Sequence, residues 1–195
     1  MAQAFGPDDL IACYRRGVFP MSDSREDESF YLVEPKLRGI LPLDALHISK
    51  SMRKFRRQTS YTVTINRAFP AVIEACATGH DGTWISHAIE GLYLHLNKRG
   101  EAHSVEVWDK DELIGGLYGV TQGQAFFGES MFSRRTNASK LALIHLVEHL
   151  IDRSFILLDT QFLTDHLKSL GAIEITQTEY LEKLNIALKS ESCFD

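Results

Sequence analysis

Glu129 stands at the end of the apolar run Ala125-Phe126-Phe127-Gly128, where a lone carboxylate needs a reason. A buried charge is costly unless it is hydrogen-bonded or paired, and Gly128 lets a backbone or a ligand approach closely, so Glu129 is a candidate active-site acid. A second acid, Asp159, ends the run Phe155-Ile-Leu-Leu, and Gln161 follows one strand period later, so both side chains can point the same way. An Asp hydrogen-bonded to the Gln amide would fix that amide, and its carbonyl could accept a hydrogen bond from an incoming amine, although an amide is too weakly basic to keep the proton. The alternative is that Asp159 and Gln161 cap a helix near Thr164.

Cations gather in two further places. Ser133-Arg134-Arg135-Thr136-Asn137-Ala138-Ser139-Lys140 leads into a long helix, and free backbone N–H groups beside two arginines, a lysine and hydroxyls suit a phosphate. An Asn N-cap among solvated charges would read the same. Lys50, Arg53, Lys54 and Arg57, joined by Arg56, form one face of a helix expected over 44–57, and no acid interrupts residues 45 to 73. That is the footprint of contact with a phosphate backbone, or else a solvated polar face. His145-Leu-Val-Glu-His149 matches the HxxEH of inverted zinc proteases. At about 100° per residue, however, His145, Glu148, His149 and Asp152 lie opposite the apolar stripe Leu143, Val147, Leu150 and Ile151. They are expected to face solvent, and without a clear third ligand no metal site is expected.

The elements that must position these groups follow from pattern. The 195 residues, 44% of them hydrophobic, can bury a real core. No apolar run approaches the roughly 20 residues that span a bilayer, and acids interrupt the N-terminus where a secretory signal would be apolar, so a cytoplasmic protein without a membrane partner is expected. Cys13, Cys76 and Cys193 are odd in number and include no CxxC, which argues against a disulfide framework and for reduced packing residues. A net charge of −5 excludes general coating of nucleic acid but leaves room for a local basic patch. Strands are expected at 30–33, 39–41, 61–65, 102–108, 112–120, 124–129, 155–159 and 173–176. Helices are expected after Pro7, over 44–57, from Pro70, from Ser86 to Gly100, and over 137–153, 164–170 and 178–189. The class is α+β, a mixed α/β sheet with helices.

Several separated blocks, in order, resemble the bacterial leucyl/phenylalanyl-tRNA–protein transferase family. They include Tyr14-Arg-Arg-Gly-Val-Phe-Pro20, His47-Ile-Ser-Lys-Ser-Met52, Thr83-Trp-Ile85, Ala102-His-Ser-Val-Glu-Val-Trp108, Gly115-Gly-Leu-Tyr-Gly-Val120, Gly128-Glu-Ser-Met-Phe-Ser133, Asp159-Thr-Gln161 and Ser169-Leu-Gly-Ala172. The resemblance implies transfer of leucine or phenylalanine, with methionine as a further donor, from aminoacyl-tRNA to the α-amine of an N-terminal Arg or Lys, creating a degradation signal. It implies a GNAT-like catalytic domain over 82–195 after a small N-terminal domain over 1–81 that carries the basic helix, working as a monomer without cofactor or metal.

By the same resemblance Glu129, Asp159 and Gln161 are the catalytic residues, with Glu129 and Gln161 meeting the acceptor's N-terminus. The donor side chain is expected among Leu117, Phe126, Met131, Leu143, Leu146 and Leu158, where a flexible Met131 suits both branched and flat shapes. The tRNA 3′ end is expected at Trp84, Tyr31, Ser133, Arg134, Arg135 and Lys140, and its backbone at Lys50, Arg53, Lys54 and Arg57. Two departures stand out. Where many relatives read WWSPxPR this chain has Tyr31-Leu-Val-Glu-Pro-Lys-Leu-Arg38, and Leu117 replaces the usual Met of GGMYG.

Two other functions compete. An acetyl-CoA-dependent N-acetyltransferase predicts a glycine-rich pyrophosphate loop, but Ser130 to Asn137 contains no glycine. A module that only binds basic N-termini through Glu129 has no need of the basic helix or the phosphate-like segment.

Overall fold

The structure, a computed structural model, describes residues 5–79 and 83–195; the expected domain boundary, between 81 and 82, lies outside the described residues. Helix α1 (Pro7–Tyr14) starts where Pro7 supplies a helix-ready φ and the Gly6 N–H donates to the Asp9 carboxylate at 2.8 Å. It buries Leu10, Cys13 and Tyr14, and Gly17 ends the segment in the left-handed region at φ 76°. A short antiparallel pair follows, β1 (Phe19–Met21) with β2 (Tyr31–Val33).

Among the described residues the main sheet has seven strands. In spatial order they are β4 (Thr62–Ile65), β5 (Ala102–Asp109), β6 (Glu112–Gln122), β7 (Ala125–Ser133), β8 (Leu157–Gln161), β3 (Leu37–Ile40) and β9 (Ile173–Thr176). Every neighbouring pair is antiparallel except β7 and β8, which are parallel. A parallel pair needs a crossover, and α5 (Ala138–Asp152) supplies it. The α+β class is therefore as expected, with an antiparallel meander extended by one parallel crossover. Strands β3 and β4 come from the part of the sequence before residue 81, so the sheet draws on both sides of the expected boundary.

Two apolar layers cover the sheet. One face packs against α5 through Leu141, Leu143, Leu146, Val147 and Leu150, and Met52 of α2 (Lys50–Gln58) joins it. The other face packs against α1, α3 (Phe69–Thr78), α4 (His87–Lys98) and α7 (Gln177–Ala187) through residues such as Tyr14, Val72, Tyr93, Tyr180 and Leu184.

Two irregularities matter for the site. The pairing of β7 with β8 runs from Ala125↔Leu157 to Phe127↔Asp159 and then stops, although β7 continues to Ser133 and β8 to Gln161, so the strands part. Between β6 and β7, Tyr118 pairs Ser130 and Gly119 pairs Gly128. Glu129 is the unpaired extra residue, a β-bulge that re-aims its side chain.

Other expectations need correction. The helix over 44–57 breaks into a single 3₁₀ turn (Leu43–Ala45) and α2, because the Ser49 hydroxyl competes for the backbone and caps α2 by accepting from the Met52 N–H at 3.2 Å. The strand expected to stop at 129 runs on to Ser133. Asn137 enters α5 with φ 69° and makes no side-chain cap bond, so it serves by its tolerance of the left-handed region. Of the three free cysteines, Cys13 and Cys76 pack in the core while Cys193 is exposed.

The bulge depends on Gly119, because a Cβ there would run into the Phe126 ring and the Phe127 carbonyl. Gly119→Ala is expected to lower unfolding free energy by about 1–3 kcal/mol through overpacking. Chemical denaturation checks this, and an unchanged midpoint contradicts the tight β6–β7 contact.

Candidate active site

The bulge turns Glu129 towards α1 and α4, and the carboxylate is 8% exposed. Tyr14 Oη donates to Oε1 at 2.6 Å, Tyr93 Oη donates to Oε2 at 2.6 Å, and Gln161 Nε2 donates to Oε2 at 3.0 Å. The two hydroxyls also lie 2.7 Å from each other. With both tyrosine protons directed at Glu129 the contact between the hydroxyls is left without one, and a proton on the carboxyl would let one of these bonds reverse and fill it. Burial acts in the same sense, pushing the Glu129 carboxyl from its ordinary 4.5 up to about 7 against the lowering effect of the three donors. Burial and the neighbouring Glu129 carboxylate also raise the Tyr14 and Tyr93 hydroxyls well above their usual range, so both remain donors.

Asp159 is held differently. Arg38, 1% exposed on β3, reaches it with Nε at 2.9 Å from Oδ1 and Nη2 at 2.6 Å from Oδ2, while Tyr180 Oη donates to Oδ2 at 2.6 Å. The Gln161 backbone N–H donates to Oδ1 at 2.8 Å. The expected bond between Asp159 and the Gln161 side chain is thus replaced: the backbone of Gln161 goes to Asp159 and its amide to Glu129. The capping explanation also fails, since Thr164 caps α6 (Asp165–Ser169) with its own hydroxyl at 3.2 Å.

A cleft of about 510 Å³ opens where β7 and β8 part. Leu117, Met131, Leu143, Leu146 and Leu158 line it, as do Glu129, Gln161 and Trp84. Phe126, expected there, does not line it: it is fully buried in the same α5-side layer as the lining residues and stacks 5.4 Å from Phe194. Phe162, 44% exposed, lines the cleft, which the sequence reading missed. Tyr118 Oη, Thr160 Oγ1 and His166 Nε2 are buried with no partner among the described residues, and all belong to cleft residues. Such atoms are costly to leave unpaired, and a water or the polar end of a ligand in the cleft would satisfy them.

The remaining candidates are spread out. Tyr31 is 48% exposed on β2 and does not line the cleft. Arg135 bridges Asp109 and Glu112, Arg134 Nη1 donates to the Leu113 carbonyl at 3.0 Å, and Ser133 Oγ donates to the Arg135 carbonyl at 2.8 Å, so this segment is largely satisfied by its own neighbours. Lys140 is half-buried and its charge, after burial, contributes to lowering the His166 pKa. Lys50, Arg53, Lys54 and Arg57 are exposed along α2, and among the described residues none is paired with an acid, whereas Arg56 is tied to Glu148. His145 and His149, expected to face solvent, are half-buried, and Phe194 folds back so that its carbonyl meets His149. Among the described residues no group of three or more His, Cys, Asp or Glu side chains could hold a metal ion.

Comparison with known proteins agrees along nearly the whole chain. Residues 40–185 match the model of the leucyl/phenylalanyl-tRNA protein transferase family, and residues 4–36 match the model of its N-terminal domain. A leucyl/phenylalanyl-tRNA–protein transferase of Hyphomonas neptunium is 55% identical over 97% of this chain and 74% of the relative. That of Caulobacter vibrioides is 54% identical over 100% of this chain and 91% of the relative. Among solved structures, L-PGS from Bacillus licheniformis overlaps 83% of this chain and 55% of its own at 14% identity, with a TM-score of 0.42, too loose an overlap to transfer any role.

The buried carboxyl sets a pH dependence. A Glu129 pKa near 7 in the folded chain, against 4.5 as its ordinary value, means that the folded state binds more protons between these limits, so stability falls as pH rises through the window and levels off above it. Relative to Glu129→Gln, which does not titrate, the protein is expected to lose on the order of 3 kcal/mol across that window. Thermal unfolding of both proteins from pH 5 to pH 8 checks this, and a constant difference contradicts it.

Proposed function

The chain belongs to the leucyl/phenylalanyl-tRNA–protein transferase family and is an aminoacyltransferase, and from that premise we propose that it moves leucine or phenylalanine from aminoacyl-tRNA to the α-amine of proteins beginning with Arg or Lys. The observation that carries this reading is the junction within one cleft of an aliphatic lining with a caged carboxylate. Leu117, Met131, Leu143, Leu146 and Leu158 suit a branched or flat apolar side chain, and Glu129 lies among the same lining residues. Methionine, unbranched and flexible, suits the same lining as a third donor.

In this proposal Glu129 and Gln161 meet the acceptor's N-terminus. A cationic N-terminus beside a carboxylate gains a charge-assisted hydrogen bond, and the gain is larger in a cleft shielded from water. The neutral α-amine attacks the ester carbonyl carbon, a C–N bond forms, the bond to the ribose oxygen breaks, and the proton that the nitrogen loses balances the one that this oxygen takes up. The ester is already activated and an α-amine with a pKa near about 8 is partly neutral at cellular pH, so holding the two groups together supplies much of the rate. The unpaired atoms of Tyr118, Thr160 and His166 offer hydrogen bonds to the polar end of the donor.

The exposed cations of α2 support a role in contacting the tRNA backbone, and Trp84 at the cleft supports stacking on the terminal adenosine. In this reading the product carries a degradation signal, and the enzyme works in the cytoplasm as a monomer without a cofactor. No helix among the described residues is long and apolar enough to cross a membrane.

Mixing the protein with leucyl-tRNA and a peptide starting with Arg is expected to give leucyl-peptide. No product from a folded preparation sinks the proposal, and acetylation of the peptide from acetyl-CoA would favour an N-acetyltransferase instead. Glu129→Gln is expected to lower kcat/KM for the Arg-peptide about 10- to 100-fold, the equivalent of one hydrogen bond to a charged group, with aminoacyl-tRNA affinity unchanged. Lost donor affinity would move Glu129 to the donor side. Replacing Lys50, Arg53 and Lys54 by neutral residues is expected to weaken tRNA binding and reduce its logarithmic salt slope by about 2, and an unchanged slope would move the tRNA surface elsewhere.

A further inference from the structure

Gln161 is held in an unfavourable backbone conformation. Its φ is 60°, in the left-handed region that a side chain bearing a Cβ seldom adopts. The Phe162 N–H closes back onto the Thr160 carbonyl at 2.7 Å, a bond across one residue that, with positive φ at its centre, is the strained form of the γ-turn. Such strain persists only where the surroundings over-determine it.

The surroundings here are specific. Directly before the turn, Asp159 Oδ1 accepts the Gln161 backbone N–H at 2.8 Å. The other contacts of Asp159 are the Arg38 guanidinium and the Tyr180 hydroxyl, so its carboxylate has no free direction in which to swing. Arg38 is itself fixed on every side: Nη1 donates to the Gly17 carbonyl at 2.9 Å, and the rings of Phe19 and Tyr180 flank the guanidinium at 4.6 Å each. Next to it, Gly39 pairs with Gln161, and a Cβ on Gly39 would come within 2.7 Å of the Phe162 backbone, so β3 presses against the turn.

A buried ion pair is a weak source of net stability compared with apolar packing of the same volume. Its effect here is geometric, because the turn it locks sends the Gln161 amide to Glu129 at 3.0 Å. We infer that Arg38 and Tyr180 are positioning residues of the transfer reaction, which through Asp159 hold the strained turn that presents the Gln161 amide to Glu129. Asp159 is then a fixed anion within a clamp, with its lone pairs occupied, and the proton of the incoming amine leaves by another route. The inference rests on the reading of this cleft as the transfer site.

Tyr180→Phe removes one donor from Asp159 and keeps the packing, so it is the variant of choice. Arg38→Lys keeps the charge but not the fork, and Arg38→Met removes both. Expected for Tyr180→Phe is a fall of at least tenfold in kcat/KM for the Arg-peptide, with aminoacyl-tRNA affinity changed less than twofold and faster hydrogen exchange at the Gln161 amide. Arg38→Met falls further, and Arg38→Lys recovers part of the loss. A purely structural clamp would lower the melting temperature of these variants yet leave kcat/KM per folded molecule unchanged. That result, or Gln161 exchange in Tyr180→Phe equal to wild type, overturns the inference. Should the wild-type protein make no leucyl-peptide, the functional reading fails instead, while the exchange measurement still decides whether the clamp exists.

Discussion

Two carboxylates are buried side by side where β7 and β8 part, and a buried charge persists only if its surroundings compensate it. Much of the molecule answers that demand. Helix α1 contributes Tyr14 and α4 contributes Tyr93 to Glu129, while β3 contributes Arg38 and α7 contributes Tyr180 to Asp159. Gln161 joins the two systems, its backbone bonded to one acid and its amide to the other.

The two acids are compensated in different ways. Asp159 faces a full cation in bidentate contact. Glu129 has only neutral donors, and these do not offset its burial, so its carboxyl is raised to about 7 and can change charge near neutrality. A group of that kind, at the edge of an apolar cleft, responds strongly to an arriving cation. The same parting of the strands creates the cleft, so the apolar lining and the responsive acid have one structural cause.

The sequence made the elements and the two acids legible but not their partners. Alternation and turn residues located the β5–β6–β7 meander, and the apolar run before Glu129 exposed that acid as anomalous. Its partners are 115 and 36 residues away in sequence, and Arg38 is 121 residues from Asp159, distances at which no local periodicity carries information. Arg38 was in view only as the end of the block that departs from WWSPxPR. The bulge was hidden for a related reason, since register belongs to a pair of strands. It brings Phe126 before the bulge and the odd-numbered Met131 after it into the same α5-side layer, which simple alternation along β7 does not give. The break before α2 was missed because a capping serine inside an amphipathic pattern looks like another helical position.

The central claim, that Glu129 is a caged carboxyl poised near neutrality to receive a cationic N-terminus, is tested most directly by following its carboxyl carbon by NMR through a pH titration, without and with a bound Arg-peptide. The account predicts a midpoint near 7 in the free protein and a clear fall when the peptide binds. A midpoint at the ordinary 4.5, or one near 7 that does not move with the peptide, would contradict it.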